Sequence, residues 1–261
     1  GLKDVIRIGR QARPALYQLQ PEAINYLVAA EHCLEVDTRR DANGELLEAL
    51  SDQAIENIVK QIHLIKPDAV AINLLFSYLN GDEEKRLKSA LSDDYFISCS
   101  STVLKAYKEY ERGMATTLNA YVGPLMQRYL SRLKAALPAA KISIMQSNTG
   151  TISVEQASQF AVNLLLSGPA GGLKGAQWLL SNQGQRQLLS FDMGGTSTDV
   201  ALIGEQIELT TESQIAGFPV AIPMVDMHTI GAGGGSIAKV DASGMLLVGP
   251  ESAGAMPGPA C

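Results

Sequence analysis

Cysteine, basic clusters and long apolar runs are all scarce in this sequence, and each scarcity excludes a class of protein. The three cysteines, Cys33, Cys99 and Cys261, lack C-x-x-C or Cys/His metal spacing, which argues against a disulfide scaffold or zinc site and indicates a reducing compartment with inert thiols. The net charge of −6 and the absence of a basic run argue against a nucleic-acid-binding protein. The apolar stretch at residues 161–166 is far shorter than the roughly 20 residues that cross a bilayer, so we expect no membrane partner.

Several common sequence signals are also missing. The sequence has no G-x-x-x-x-G-K-[ST] phosphate loop and no G-x-G-x-x-G dinucleotide fingerprint. It has no secretory or transit segment at its start and no N-x-[ST] sequon, which agrees with a cytoplasmic location. Because the chain starts at Gly1 without Met and ends in a Gly/Pro-rich stretch at residues 254–261, we expect a piece of a longer polypeptide.

The apolar pattern predicts an α/β protein. Hydrophobic residues make up 46% of the 261 residues and charged residues 18%, as in ordinary globular proteins. Helical spacing between Ser51, a candidate N-cap, and Pro67 predicts a helix over 51–66. The following segments alternate between strand and helix patterns, which is typical of βαβ units: a strand at 69–76, a helix at 82–91 and a strand at 95–98.

A second group of elements follows. An apolar stripe over 107–137 predicts one long helix, or two if Gly123-Pro124 breaks it. The small residues at 167–172 either permit close packing or mark a hinge between two lobes. The remaining predicted elements are a strand at 142–145, a short helix at 154–160, a buried strand at 162–166 and a helix from 167 to about 180.

The most informative segment is the turn Asp192-Met-Gly-Gly-Thr-Ser-Thr-Asp199 between two strand-like runs. Gly194 and Gly195 lack the Cβ that would block an anion, so successive backbone N–H groups can converge on a phosphate. Asp192 is placed to hold Mg²⁺, and Asp199 to do the same or to orient a water. The alternative is a hairpin whose polar residues satisfy only their own turn. The predicted phosphate ligands are Gly194, Gly195, Thr196, Ser197 and Thr198, with Asp192 and Asp199 as catalytic residues.

Three further groups are ambiguous. The loop at 231–236 cradles a phosphate with Gly233, Gly234, Gly235 and Ser236, or is a bend between strands that needs no ligand. Asp226 and His228 are a candidate metal pair beside Asp192, although a hydrogen-bonding role is the commoner one for such a pair. Glu111 and Arg112 are expected to be an ordinary exposed ion pair.

Taken in order along the chain, the motifs resemble the hydantoinase A / 5-oxoprolinase family. The matching segments are Tyr-Glu-Arg at 110–112, Thr-Thr-Leu-Asn-Ala-Tyr at 116–121, Met-Gln-Ser-Asn at 145–148, Leu-Ser-Gly-Pro-Ala-Gly-Gly at 166–172, the turn at 192–199, the loop at 229–236 and the tail at 248–261.

This resemblance implies the fold of the actin/Hsp70/sugar-kinase ATPases: an actin-like (RNase H-like) α/β fold with mixed sheets flanked by helices. It divides the chain into two partial lobes. Residues 1–166 would be the remainder of the first lobe, and 167–261 the connecting helix and first part of the second lobe, with its phosphate hairpin. A similar Asp-Gly-Gly-Thr turn, which the family carries near its natural N-terminus, does not occur here, so we expect the isolated chain to be inactive.

The same resemblance implies a function that uses ATP and Mg²⁺. The family opens a cyclic amide such as a hydantoin or 5-oxoproline after phosphorylating the amide oxygen, often with a hydantoinase B-like partner subunit and in an oligomer. Two alternatives remain open: a subunit of an acetone- or acetophenone-type ATP-dependent carboxylase, and a nucleotide-gated binding protein that transforms no second substrate.

Overall fold

The computed structural model describes residues 2–12, 17, 19–20, 26–91, 95–215, 217–256 and 258. These residues form a mixed α/β structure of helices and small sheets. The α-helices are α1 (Val5–Ile8), α2 (Asp52–Ile65), α3 (Asp82–Leu91), α4 (Ser100–Val103), α5 (Glu109–Ala136), α6 (Val154–Gln159) and α7 (Ser167–Ser181). Short 3₁₀ helices span Ala30–His32 and Ala161–Leu164.

The strands pair into seven small sheets in the described part of the chain. They are β1 (Arg39–Arg40), β2 (Leu46–Glu48), β3 (Ala69–Ile72), β4 (Phe96–Cys99), β5 (Ser143–Met145), β6 (Thr151–Ser153), β7 (Leu188–Met193), β8 (Thr198–Ile203), β9 (Leu209–Thr210), β10 (Ser213–Ile215), β11 (Phe218–Val220), β12 (Met224–Val225), β13 (His228–Ile230), β14 (Ser236–Val240) and β15 (Leu246–Ser252). The sheets pair β1 with β2, β3 with β4, β5 with β6, β9 with β12, β10 with β11, β14 with β15, and β13-β8-β7 in that order.

The chain divides into two compact units, and neither is continuous in sequence. One unit comprises residues 1–143, 153–162 and 211–222, and the other comprises 144–152, 163–210 and 223–261. The predicted lobes, 1–166 and 167–261, stay a prediction.

The first unit contains the predicted βαβ crossover. Strands β3 and β4 are parallel, with Ala69 opposite Phe96 and Ile72 opposite Cys99, and α3 lies between them in the chain. The core packs α2 and α3 against this pair through the buried residues Leu50, Ile58, Ile62, Ile72, Leu87, Leu91 and Cys99. The Ser51 hydroxyl accepts a hydrogen bond from the Ala54 amide, which confirms the predicted N-cap and start of α2. Burial raises the pKa of the Cys99 thiol to about 12, in agreement with an inert cysteine; Cys261 lies outside the described residues.

Helix α5 passes through Gly123-Pro124 without a break, so the stripe at 107–137 forms one helix. Gly123 is buried, and a Cβ at this position would collide with the ring of Phe96, so the glycine lets α5 approach β4 closely. Only part of the predicted stripe is core: Leu118 and Leu130 are buried, whereas Tyr121 and Tyr129 are 72% and 57% exposed.

Two predicted strands are wrong in extent or type. The strand predicted at 69–76 ends at Ile72, because the Leu74 amide donates instead to the carboxylate of Glu84 at 3.0 Å. The strand predicted at 162–166 is the 3₁₀ helix Ala161–Leu164. There the Val162 amide donates to the Asn119 side chain at 3.1 Å, and both Ala161 and Val162 are buried.

The expectation of an exposed Glu111–Arg112 pair is wrong for Arg112, which is fully buried. Its guanidinium donates to the carbonyl oxygens of Leu74 at 2.8 Å and Ala106 at 3.1 Å, and it lies over the ring of Tyr78. Burial lowers the pKa of Arg112. Glu111 instead accepts from Arg10 at 2.9 Å. Arg112 therefore ties the loop after β3 to the segment before α5.

The second unit places helix α7 against the hairpin of β7 and β8. Its core consists of Ala170 and Leu173 from α7, Ala201 and Ile203 from β8, and Val225 from β12. The antiparallel register sets Leu188 opposite Ile203 and Ser190 opposite Ala201, so these side chains share the face toward α7. Among the described residues, no helix is long and apolar enough to cross a membrane.

Candidate functional site

The predicted turn closes the hairpin of β7 and β8. The ladder ends with Met193 opposite Thr198, and the four residues between them form the turn. The Gly194 amide donates to the Ser197 carbonyl at 2.9 Å, which holds the turn closed. The amides of the next three residues, Gly195, Thr196 and Ser197, donate to no residue in the described part of the chain. Three successive donors at a glycine turn are the arrangement that binds an anion.

Two carboxylates lie directly below this turn. Asp192 and Asp199 are cross-strand partners, so they share one face of the sheet. Asp192 is exposed and Asp199 is half-buried. The hydroxyl of Thr229, on the neighbouring strand β13, donates to Asp199 at 2.7 Å. Two carboxylates placed opposite each other repel. A divalent cation, with phosphate oxygens and water as its other ligands, would be attracted to both carboxylates.

A cavity of about 210 Å³ opens between this carboxylate pair and helix α7. Pro169, Gly172 and Leu173 form the helix side of the cavity, and Met227 and Ala201 add apolar surface. A Cβ at Gly168 or Gly172 would meet no described atom within 4 Å, so the packing of this unit alone does not require glycine there. The cavity gives a ligand access to both carboxylates.

The side chains predicted to bind phosphate have different surroundings. Thr196 is exposed and Ser197 half-buried, so both lie at the turn with accessible surface. Thr198 is 3% exposed, and its hydroxyl donates to the Ala232 carbonyl at 2.6 Å. The structure therefore places the Thr198 hydroxyl against the protein's own backbone.

The glycine loop at 231–236 packs directly on the turn. The Gly234 amide donates to the Gly194 carbonyl at 2.9 Å, and the Gly235 amide donates to the Gly195 carbonyl at 2.6 Å. The Ser236 hydroxyl accepts from the Gly233 amide at 2.8 Å. The donors that sequence reasoning assigned to a phosphate are thus engaged within the protein.

The structure does not gather the predicted metal ligands Asp192, Asp226 and His228. His228 pairs with Val200 and Thr229 with Asp199, so the alternation of side chains puts His228 on the sheet face opposite Asp199. Asp226 is exposed and precedes β13. Within the described ranges, no group of three or more His, Cys, Asp and Glu side chains is placed to hold a metal ion. The candidate cation ligands are therefore Asp192 and Asp199, completed by ligand oxygens and water.

Thr229 was not predicted as a partner of Asp199. The sequence places Thr229 at the start of the segment 229–236, but its pairing with Asp199 depends on the register of β13 against β8, which the sequence does not show. The same holds for Met227, which lies two residues earlier and lines the cavity.

Comparison with known proteins identifies the family of this chain. The model of the hydantoinase/oxoprolinase family matches residues 112–261, and the model of the hydantoinase/oxoprolinase N-terminal region matches residues 1–94. The chain belongs to the hydantoinase/oxoprolinase family, as its motifs predict.

Individual relatives agree with this assignment. The chain is 33% identical to 5-oxoprolinase 1 of Arabidopsis thaliana, over 100% of this chain and 22% of the relative. It matches the crystal structure of ATP-dependent caprolactamase from Pseudomonas jessenii with a TM-score of 0.80 and 28% identity, over 99% of this chain and 39% of that one. Nucleotide-free acetone carboxylase, from a study of ATP-dependent acetone carboxylation, matches with a TM-score of 0.80 and 26% identity, over 97% of this chain and 38% of that one. The chain spans between 22% and 41% of the length of curated relatives that it matches.

Proposed function

We propose that this chain carries the phosphate-binding hairpin of an enzyme that uses ATP to open a cyclic amide. The observation that carries the proposal is the turn at 194–197, where three amides that donate to no described residue stand next to the carboxylates of Asp192 and Asp199. The names of two relatives, 5-oxoprolinase and caprolactamase, support a cyclic amide as the substrate class.

The donor set fits a magnesium nucleotide. The amides of Gly195, Thr196 and Ser197 would bind phosphate oxygens, with the Thr196 and Ser197 hydroxyls beside them. Asp192 and Asp199 would hold Mg²⁺, which neutralises charge on the phosphates, and Thr229 keeps the Asp199 carboxylate in place. Pro169 and Gly172 border the cavity and leave room beside the carboxylates.

In the proposed reaction, ATP donates its terminal phosphoryl group to the amide oxygen of the ring. ADP leaves, and the amide becomes an imidate phosphate, whose ring carbon is a better electrophile than that of the amide. One water attacks this carbon, the carbon–nitrogen bond breaks to open the ring as an acyl phosphate, and a second water releases phosphate and leaves a carboxylate. The protein's contribution is to position the phosphates and neutralise their charge. The proposal includes an actin-like ATPase fold, with lobes at 1–166 and 167–261.

The test is ATP turnover by the complete protein, together with any partner subunit, in the presence of 5-oxoproline, hydantoin or caprolactam. We expect ADP formation to depend on one of these rings and to match the amount of ring-opened product measured by mass spectrometry. An ATP turnover rate that does not change when any of these cyclic amides is added would favour a nucleotide-gated binding protein instead. If the complete protein bound no ATP, the proposal would fail.

A carboxylase is the second candidate function, because acetone carboxylase matches the chain as well as caprolactamase does in structure. The acetophenone carboxylase gamma subunit of Aromatoleum aromaticum is also 30% identical over 100% of this chain and 38% of the relative. Bicarbonate separates the two reactions, since a carboxylase consumes it and an amide hydrolase does not. ATP turnover with a ketone that requires bicarbonate would replace ring opening as the function.

The names of the caprolactamase and acetophenone carboxylase relatives describe subunits, which supports a partner subunit for this protein. A hydantoinase B-like chain is the partner that we expect. Co-purification of the complete protein with such a chain, followed by mass measurement of the complex, tests this assembly. A complete protein that hydrolyses ATP and opens the ring without a partner chain would contradict the assembly.

A further inference from the structure

The orientation of two peptide planes determines where the amides of the phosphate turn point. The carbonyl oxygens of Gly194 and Gly195 both face the loop at 231–236, where they accept from Gly234 at 2.9 Å and Gly235 at 2.6 Å. In a trans peptide, the N–H of the next residue points opposite to the carbonyl. The N–H groups of Gly195 and Thr196 therefore point away from the glycine loop, in parallel, toward the side where they have no acceptor among the described residues.

Close approach between the two segments depends on particular glycines. A Cβ at Gly233 would lie 2.6 Å from the Gly194 oxygen and 2.9 Å from the Ser197 nitrogen. A Cβ at Gly235 would lie 2.9 Å from the Gly195 oxygen, whereas one at Gly234 would lie 3.8 Å from the Gly194 oxygen, an ordinary contact. The atoms that these Cβ groups would meet belong to the backbone, which cannot change rotamer as a side chain does. Only glycine therefore fits at 233 and 235 without moving the turn.

The loop is itself fixed by other hydrogen bonds. The Ala253 amide, just after β15, donates to the Gly235 carbonyl at 2.8 Å, and the Ser252 hydroxyl approaches the same oxygen at 3.3 Å. On the other side, Thr198 is buried at the start of β8 and donates to the Ala232 carbonyl at 2.6 Å. The loop thus has a rigid attachment on each side of the contact with the turn.

We infer that Gly233 and Gly235, together with Thr198, are positioning residues that aim the Gly195 and Thr196 amides at the phosphates. This inference rests on the proposed function, because it assigns the phosphate contact to the turn and a supporting role to the loop. In this role they act through the peptide planes of Gly194 and Gly195.

The test compares Gly233→Ala and Gly235→Ala with wild type in the complete protein. Gly204→Ala is the matched control, because a Cβ there meets nothing within 4 Å and Gly204 is outside the site. Titration calorimetry with Mg-ATP and, separately, with adenosine distinguishes the phosphate contact from general damage. We expect the Kd for Mg-ATP to rise at least about tenfold in both loop variants, with the Kd for adenosine within about twofold of wild type. Gly234→Ala should have a much smaller effect than either.

Equal weakening of Mg-ATP and adenosine, or no change in either, would overturn the inference. If the alanine variants do not fold, Thr198→Val and Thr198→Ser decide the matter, because valine removes the hydrogen bond to Ala232 and serine keeps it. Weaker Mg-ATP binding in Thr198→Val, restored in Thr198→Ser, supports the positioning role; equal binding in both variants contradicts it. Wild-type turnover coupled to ring opening would leave the proposed function standing even then, whereas a wild type that does not bind Mg-ATP overturns both.

Discussion

The carboxylate pair predicts that one substitution will stabilise the empty protein and inactivate it. Asp192→Asn removes one charge from the pair with Asp199 and keeps nearly the same shape. Asp192 is the better position to change, because Asp199 would also lose its bond from Thr229, whereas the Asp192 side chain makes no hydrogen bond within the described residues.

The size of the stabilisation follows from the register. Directly opposed cross-strand residues have Cβ atoms about 5 Å apart, and like charges there are unfavourable by up to about 1 kcal/mol. Coulomb's law at that separation in water gives about 0.8 kcal/mol, and salt reduces it because Asp192 is exposed. About 1 kcal/mol corresponds to about 2–4 °C in Tm for 150–250 residues, and to less in a longer protein. We therefore expect the Tm of the complete protein to rise by about 1 °C at low ionic strength without Mg²⁺, and the rise to shrink at high salt.

The assay measures Tm and ATP turnover in the complete protein. We expect turnover to fall at least about a hundredfold in Asp192→Asn, because charge developing on the phosphates loses a fixed partner for its cation. The rise in Tm that Mg-ATP produces in wild type should also be lost. Asp226→Asn is the control, since it removes an exposed carboxylate of the same unit that precedes β13 and lies outside the pair.

Two results would refute this reasoning. A lower Tm in Asp192→Asn would mean that the Asp192 carboxylate stabilises the protein without Mg²⁺. The Asp192–Asp199 pair would then not be a repulsive pair that a cation relieves. Normal turnover in Asp192→Asn, or a loss in Asp226→Asn of the same size, would place the cation elsewhere.

Three further predictions concern single side chains. Arg40 holds the pKa of Glu83 below its ordinary value through hydrogen bonds of 2.7 and 2.8 Å, so this pair stabilises the fold above about pH 4.5 and loses that contribution as the pH falls through the lowered pKa. Urea unfolding from about pH 5 to pH 3 should therefore show a steeper loss of stability in wild type than in Glu83→Gln, and equal slopes would contradict the pairing. Arg112→Met should lower the free energy of unfolding by about 3 kcal/mol, because it leaves buried carbonyl acceptors without a donor, and urea unfolding at pH 7 measures it; a change below about 1 kcal/mol would show that water replaces the guanidinium. Thr229→Val should reduce ATP turnover about tenfold by releasing Asp199, while Thr229→Ser retains it in steady-state kinetics; equal rates would remove Thr229 from the site.

The parts of the structure that sequence predicted correctly depend on neighbours in the chain. Helix α2 follows from apolar spacing and the Ser51 cap, and the hairpin follows from two alternating runs around Gly194-Gly195. In each case, the residues that determine the structure lie within one short segment, from Ser51 to Ile65 and from Leu188 to Ile203. The turn at 194–197, which closes the predicted hairpin, is of this kind.

The parts that sequence could not predict depend on distant partners. The segment 162–166 reads as a buried strand, but Asn119, more than forty positions earlier, takes the Val162 amide. Arg112 reads as an exposed residue, but its acceptors are carbonyls at Leu74 and Ala106. Neither contact has a periodic signature, so composition and spacing assign these residues to their commonest environments.

The glycines of the site separate into two sets once their neighbours are known. A Cβ at Gly195 would meet nothing within 4 Å, and one at Gly194 would make only an ordinary contact of 3.6 Å with the Ser197 oxygen. Glycine at these positions therefore keeps space that no described protein atom fills, and under the proposed function a phosphate occupies it. Gly233 and Gly235 instead keep space that the turn itself occupies. The sequence shows two glycine clusters of similar composition, but the clash distances distinguish them: the glycines of the loop support the turn, and under the proposed function the glycines of the turn face the ligand.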